Sequence, residues 1–213
     1  MKSFNKLIGI LSSLCVLLGM SSCTEDASYL SLTKAVNPQV SSKLAVQANE
    51  WKSLGMCSYT DDVIAPIYKK TPVTYDVEIQ EHTQRPGLYR LVNAYGAAYP
   101  YNKEGDWDAS KNYYIEINAE DPLGVYITRQ NTGLDWGQGY IYIYSLAAQE
   151  IEKGETLEDT KLNGYCGTLI NGVISFYTDT VLWSFESTGT PIFTGNKHGA
   201  FKIVLPTTAT QAD

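Results

Sequence analysis

Residues 74–81 read Thr-Tyr-Asp-Val-Glu-Ile-Gln-Glu, and their strict alternation decides the fold class. Tyr75, Val77 and Ile79 fall on one face, with Asp76, Glu78 and Gln80 on the other. A period of two belongs to a strand with one buried face, because successive side chains leave opposite sides of the pleat. Arg85-Pro86-Gly87 reads as a turn, and Leu88 to Val92 as the returning strand. The alternation recurs over 112–119, where Tyr113, Ile115 and Ile117 share the inward face. Asp121-Pro122-Leu123-Gly124 then turns the chain into a strand expected over 125–129.

Tyr140 to Tyr144 is Tyr-Ile-Tyr-Ile-Tyr, made only of β-branched and aromatic residues. Between Thr168 and Phe176 the pair Asn171-Gly172 is flanked by apolar runs. Asn-Gly tolerates positive φ at both central turn positions, so a type I′ hairpin is expected. Strands over 181–185 and 200–205 complete the set, and Pro206 ends it. Helical signals are confined to 61–68, capped by Asp61 or Asp62, and to 145–153, stopped by Gly154. The pattern predicts an all-β protein: an antiparallel β-sandwich or barrel-like sheets with at most short helical turns. The globular part is expected over 48–206, as one core or as two small β layers divided near 101–111, with a loose tail over 207–213.

Ahead of this domain the chain carries an address. Residues 1–22 hold Lys2 and Lys6, no acid, and an apolar run from Leu7 to Met20. That is the layout of a secretory signal. As a helix the run would reach only about 21 Å, short of a hydrocarbon core of about 30 Å, which argues against a permanent span. The exit, Leu18-Gly19-Met20-Ser21-Ser22-Cys23, resembles a lipobox, which implies lipidation of Cys23 and a membrane partner reached through that lipid. Residues 23–47 then form a tether of roughly 26 Å root-mean-square reach. Thr24-Glu25-Asp26 resembles the acidic surface-export signals of Bacteroidetes lipoproteins, and reads equally as the solvated start of that tether.

The chain has 16 basic and 23 acidic residues; without Lys2 and Lys6 the balance is 14 against 23, a net −9. Such a domain lacks the basic patch that nucleic acid requires. Of the four cysteines, Cys15 leaves with the signal and Cys23 is the lipidation site, so Cys57 and Cys166 remain. They either close one disulfide in an oxidising envelope or pack as two buried thiols.

Five strings carry a resemblance to a known group. They are Trp51-Lys52-Ser53-Leu54-Gly55, Tyr59-Thr60-Asp61-Asp62, Gly87 to Gly96, Gly133-Leu134-Asp135-Trp136-Gly137 and Asn171-Gly172-Val173-Ile174-Ser175-Phe176. With the lipobox they resemble uncharacterised surface lipoproteins of gut Bacteroidetes, from Trp51 to Leu205. The likeness implies an all-β envelope protein and assigns no catalytic residue.

Catalytic signatures are sparse. The two histidines, His82 and His198, have no partner at metal-ligand spacing, and nucleophile elbows and phosphate loops are missing. No cofactor is implied. Glycoside hydrolysis needs two carboxyls about 5–10 Å apart in a cleft, and Asp61, Asp62, Asp106, Asp108 and Asp135 are the loop acids to consider. Asn102, Glu104, Asp106 and Asp108 offer oxygen ligands for calcium without the spacing of an EF-hand loop. Aromatics give the better lead, with sixteen Tyr and four Trp. If Ile141 and Ile143 face the core, then Tyr140, Tyr142 and Tyr144 stand in a row about 7 Å apart. Trp107 and Trp136, each beside Asp in a loop, can extend such a platform. Amphipathic rings of this kind suit sugars or protein partners, and equally serve cross-strand packing. The expected function is a membrane-anchored envelope lipoprotein with a non-enzymatic binding or adhesion role and glycan as the leading ligand. The alternatives are a structural subunit of an envelope assembly and a glycoside hydrolase.

Overall fold

Eleven strands and three short helices make up the computed structural model, which describes residues 50–103, 106–187 and 193–207. In chain order they are β1 (Trp51–Asp61), α1 (Ala65–Lys69), β2 (Val73–His82), β3 (Leu88–Val92), β4 (Tyr114–Asn118), β5 (Gln130–Asp135) and β6 (Tyr140–Ser145). There follow α2 (Leu146–Glu152), α3 (Leu157–Leu162), β7 (Thr168–Ile170), β8 (Val173–Ser175), β9 (Val181–Phe185), β10 (Phe193–Thr194) and β11 (Lys202–Val204). Cys23, Glu104 and the tether fall outside the described residues.

Seven strands form a curled half-barrel sheet in the order β4-β3-β2-β1-β11-β8-β7, and four form a second sheet, β10-β9-β6-β5. Every pairing is antiparallel. The period-two strand is β2, with Val77 and Ile79 buried as the alternation requires. Its partner β1 runs almost the whole length of β2, with a register shift between Ser53 and Gly55, where Gly55 has φ 101°. The hairpin at Asn171-Gly172 has φ 52° and 74°, the two positive values a type I′ turn demands.

One connected core joins both sheets: Val77, Ile79, Ile115, Ile117, Ile174 and Ile203 come from the large sheet, and Leu134, Ile141, Ile143, Val181 and Trp183 from the small one. Residues 101–111 link β3 to β4, which pair directly, so this stretch does not divide two layers. The strand expected over 125–129 is instead a pair of single bridges, Val125 to Gly167 and Asn118 to Tyr126, and the regular strand begins at Gln130. Ser145 caps α2 through its hydroxyl, which accepts from the Ala148 N–H.

Cys57 and Cys166 are both buried free thiols. Strands β11 and β8 lie between β1 and β7, which separates the two segments by roughly 14 Å of sheet. A disulfide requires Cα atoms within about 7 Å. Burial pushes the Cys57 thiol from 9.0 up to about 12 and raises that of Cys166, whose sulfur lies 3.3 Å from the Thr160 hydroxyl.

Candidate functional site: two clefts flanking a short helix

The site begins with two adjacent acids at the end of β1. Asp61 and Asp62 are both fully buried, and each organises a different segment. Asp61 accepts from the backbone N–H groups of Val63 (2.9 Å), Ile64 (3.0 Å) and Ala65 (2.8 Å), and from the Tyr99 hydroxyl (3.1 Å). These are the donors that the first turn of α1 leaves unpaired. Asp62 accepts from the backbone N–H groups of His198 (2.9 Å) and Ala200 (3.0 Å), and its Oδ1 lies 2.6 Å from His198 Nδ1. With a carboxylate accepting there, Nδ1 carries the proton and Nε2 is the ring's second nitrogen. Asp61 and Asp62 are therefore not loop acids open to a substrate. They fasten α1 and the segment 195–200 to the sheet.

That arrangement creates a pocket of about 330 Å³ on one side of α1. Val63, Pro66, Ile67 and Trp183 make its apolar surface, and Lys70, Gly195, Lys197 and His198 complete the lining. Lys70 takes the left-handed conformation (φ 62°) that closes α1, its N–H donating to the Pro66 carbonyl at 2.7 Å.

Across the helix lies an open cleft of about 450 Å³, lined by Ile67, Tyr68, Lys103, Asp106, Asp135, Trp136 and Gly137. Ile67, 42% exposed, borders both hollows. Tyr68 stacks on Tyr101 (centroids 5.5 Å apart, planes 24° apart) and meets Trp136 edge-on at 5.5 Å. Trp136 in turn packs edge-on against Trp183 at 5.6 Å, so the aromatic of one hollow touches that of the other. Burial raises the Tyr68 phenol above its usual value, and the buried Trp136 Nε1–H has no hydrogen-bond partner among the described residues. Asp135 Oδ1 accepts from Gly137 N–H (2.8 Å) and Asp106 Oδ2 from Lys103 N–H (2.9 Å). The second oxygen of each carboxylate has no hydrogen bond to a described residue.

Of the aromatic platform expected from sequence only Trp136 reaches this cleft, where it meets Asp106 and Asp135, two of the acids considered for glycoside hydrolysis. Trp107 is bridged to Leu134, and its ring lies against Gly96, where an added Cβ would meet it at 3.0 Å. The tyrosine row on β6 is not an open surface either. Ile141 and Ile143 do face the core, but Tyr144 is buried, Tyr140 packs on Tyr113 at 6.2 Å, and the Arg129 guanidinium covers Tyr142 at 4.0 Å.

Of the calcium candidates, Asp108 is committed locally, Asn102 uses its amide nitrogen while its Oδ1 is buried without a partner among the described residues, and Asp106 borders the cleft. Asn102 donates its amide to the Tyr95 and Gly96 carbonyls. Asp108 accepts from Ser110 and pairs with Lys111 at 3.0 Å, contacts that hold its carboxyl at about 2. Among the described residues no three His, Cys, Asp or Glu side chains group as metal ligands.

Sequence reasoning missed Tyr68, Tyr101, Lys70 and the Asp62–His198 pair. The last spans 136 residues, so no local spacing signals it. No family model, no curated protein and no solved structure matches the chain. Among the described residues no helix is long and apolar enough to cross a membrane.

Proposed function

We propose that this chain is a lipid-anchored envelope protein whose β domain is a binding module, with the cleft flanking α1 as a glycan site. The observation that carries the reading is Tyr68 and Trp136 beside Asp106, Asp135 and Lys103 around one open hollow, with Tyr101 stacked on Tyr68 behind it. Flat rings bury the apolar face of a sugar while carboxylates and an ammonium take its hydroxyls. The anchor rests on the signal layout and Cys23. Affinity electrophoresis through gels containing polysaccharides tests the site. Wild-type protein is retarded, and both Trp136→Ala and the exposed-site variant Asp135→Ala migrate freely with unchanged far-ultraviolet circular dichroism. Wild-type migration unaffected by every polysaccharide refutes the glycan reading. Sugar release that disappears in Asp106→Asn and Asp135→Asn would replace binding by hydrolysis.

A second reading, a structural subunit of an envelope assembly, is favoured by a different face. Leu123, Leu162 and Tyr177 are 60%, 85% and 61% exposed and line one hollow of about 400 Å³ beside Lys161 and Glu158. Large apolar side chains exposed together mark interaction surfaces. A photo-reactive group placed at Leu162 in intact cells then gives one constitutive cross-linked species without added sugar.

A further inference from the structure

Leu162, Tyr177 and Leu123 are the three most exposed large apolar side chains among the described residues, and all of them line the 400 Å³ hollow. They come from separate parts of the chain: the last residue of α3, the segment between β8 and β9, and the turn that Gly124 N–H closes onto the Asp121 carbonyl at 2.9 Å. No local pattern makes them neighbours; the fold gathers them. Leu162, 85% exposed, stands at the rim as a knob, and beside it the hollow runs down to Cys166 and Thr168. A knob and an adjacent hollow on one surface are the two halves of an isologous contact, in which each copy gives what it receives.

Charge fits the same arrangement. Lys161 is shared by Asp121 at 2.8 Å and Glu158 at 3.0 Å, and Glu158 is the outer of the two acids, its side chain 73% exposed. Two copies facing each other can exchange Glu158 between their lysines, so every ion pair of the rim is kept. The domain is acidic and repels its own copies over much of its surface, and a rim that carries its own ammonium lessens that cost. The area is also adequate. Leu123, Leu162 and Tyr177 together expose on the order of 400 Å². With its polar rim, a pair of such faces buries about 1,000 Å² in total, the lower end for a specific contact. Such a contact is weak in free solution, but lipid anchors that confine both copies to one membrane raise their effective concentration. We infer that the partner for this face is a second copy of the chain, in an isologous dimer whose Leu162 side chains enter each other's hollows between Leu123 and Tyr177. This inference rests on the reading of the face as an interaction surface and is independent of the glycan cleft.

The test replaces Tyr177 by a photo-reactive phenylalanine in the full-length chain and irradiates intact cells that also carry a second, differently tagged copy. The expected product has twice the mass of the chain, carries both tags, and joins position 177 to a peptide holding Leu123 or Leu162. Leu162→Asp, at a position exposed enough to leave folding intact, is expected to lower its yield about tenfold or more. Met56→Asp also charges an exposed apolar position, but one outside this hollow, and leaves the yield unchanged. A product that contains a different protein overturns self-association and leaves the face an interaction surface. A doubled product that survives Leu162→Asp, or that Met56→Asp removes equally, overturns the dimer inferred here. Cross-linking to lipid alone, or to nothing, overturns the inference and the reading of the face together.

Discussion

Replacing Asp61 by Ala removes the acceptor for three backbone N–H groups and the Tyr99 hydroxyl, all in a fully buried environment. A buried donor left unsatisfied costs about 1–3 kcal/mol. Loss of the carboxylate also relieves its own desolvation, which offsets part of that sum. The net loss expected is about 3–5 kcal/mol. For a chain of this size that lowers Tm by roughly 6–20 °C. Asp61→Asn is milder, at about 1–3 kcal/mol: its oxygen still accepts from Val63 and Ile64, while its amide meets the Ala65 N–H donor to donor. The pH dependence has a definite sign. Burial is the largest influence on Asp61 and raises its carboxyl above the usual 3.8, outweighing its hydrogen bonds. The folded state then holds the proton more tightly than the unfolded chain. Its contribution is greatest below the unfolded value and declines as pH rises through the folded one. The Asn variant lacks that titration, so its deficit against wild type narrows as pH is raised from about 4 to about 7. Urea unfolding followed by tryptophan fluorescence at several pH values measures both quantities. An Asp61→Ala variant within 1 kcal/mol of wild type refutes the capping role, and a deficit of Asp61→Asn that widens with pH refutes the claim that burial outweighs those hydrogen bonds.

Three further outcomes are expected. At about pH 8 neither Cys57 nor Cys166 is labelled by a thiol reagent in the folded protein, both are labelled in urea, and reductant leaves the unfolding midpoint unchanged; peptide mass mapping reports each site. Gly195→Ala destabilises by about 2–3 kcal/mol in the same unfolding assay, because its Cβ would sit 2.1 Å from the Val181 carbonyl oxygen and 2.8 Å from Val63 Cγ1. Cys23→Ser moves the cell-associated protein from the detergent-rich to the aqueous phase of a Triton X-114 partition, and continued partition into detergent counts against the lipid anchor.

The sheets were legible in the sequence where one face is core and the other solvent. Residues 74–81 and 112–119 alternate because each lies in a sheet with a single buried side, and Asn171-Gly172 announces its turn through backbone conformation alone. Strand β1 was hidden because the shift at Ser53–Gly55 breaks its period and its first half is largely exposed. Helix α3 was overlooked although Thr156 and Asp159 form a reciprocal capping box, a signal present in the sequence. Tyrosine was the hardest residue to place. Tyr59 and Tyr95 are fully buried with their hydroxyls 2.7 Å apart, while Tyr68 edges the cleft, and nothing local distinguishes them. The same difficulty applies to Asp61 and Asp62, whose partners come from the loop holding Tyr99 and from a segment 136 residues away. Sequence spacing located strands; only the folded chain shows which acids are structural and which border a hollow.

The most direct test of the binding site is the response of the indole N–H resonances of Trp51, Trp107, Trp136 and Trp183 during titration with an oligosaccharide of a polysaccharide that retards the protein. Trp136 and Trp183 are expected to shift together and saturate at one ligand concentration, with Trp51 unmoved. Saturable binding that shifts Trp51 or Trp107 and leaves Trp136 and Trp183 in place would contradict a site flanking α1.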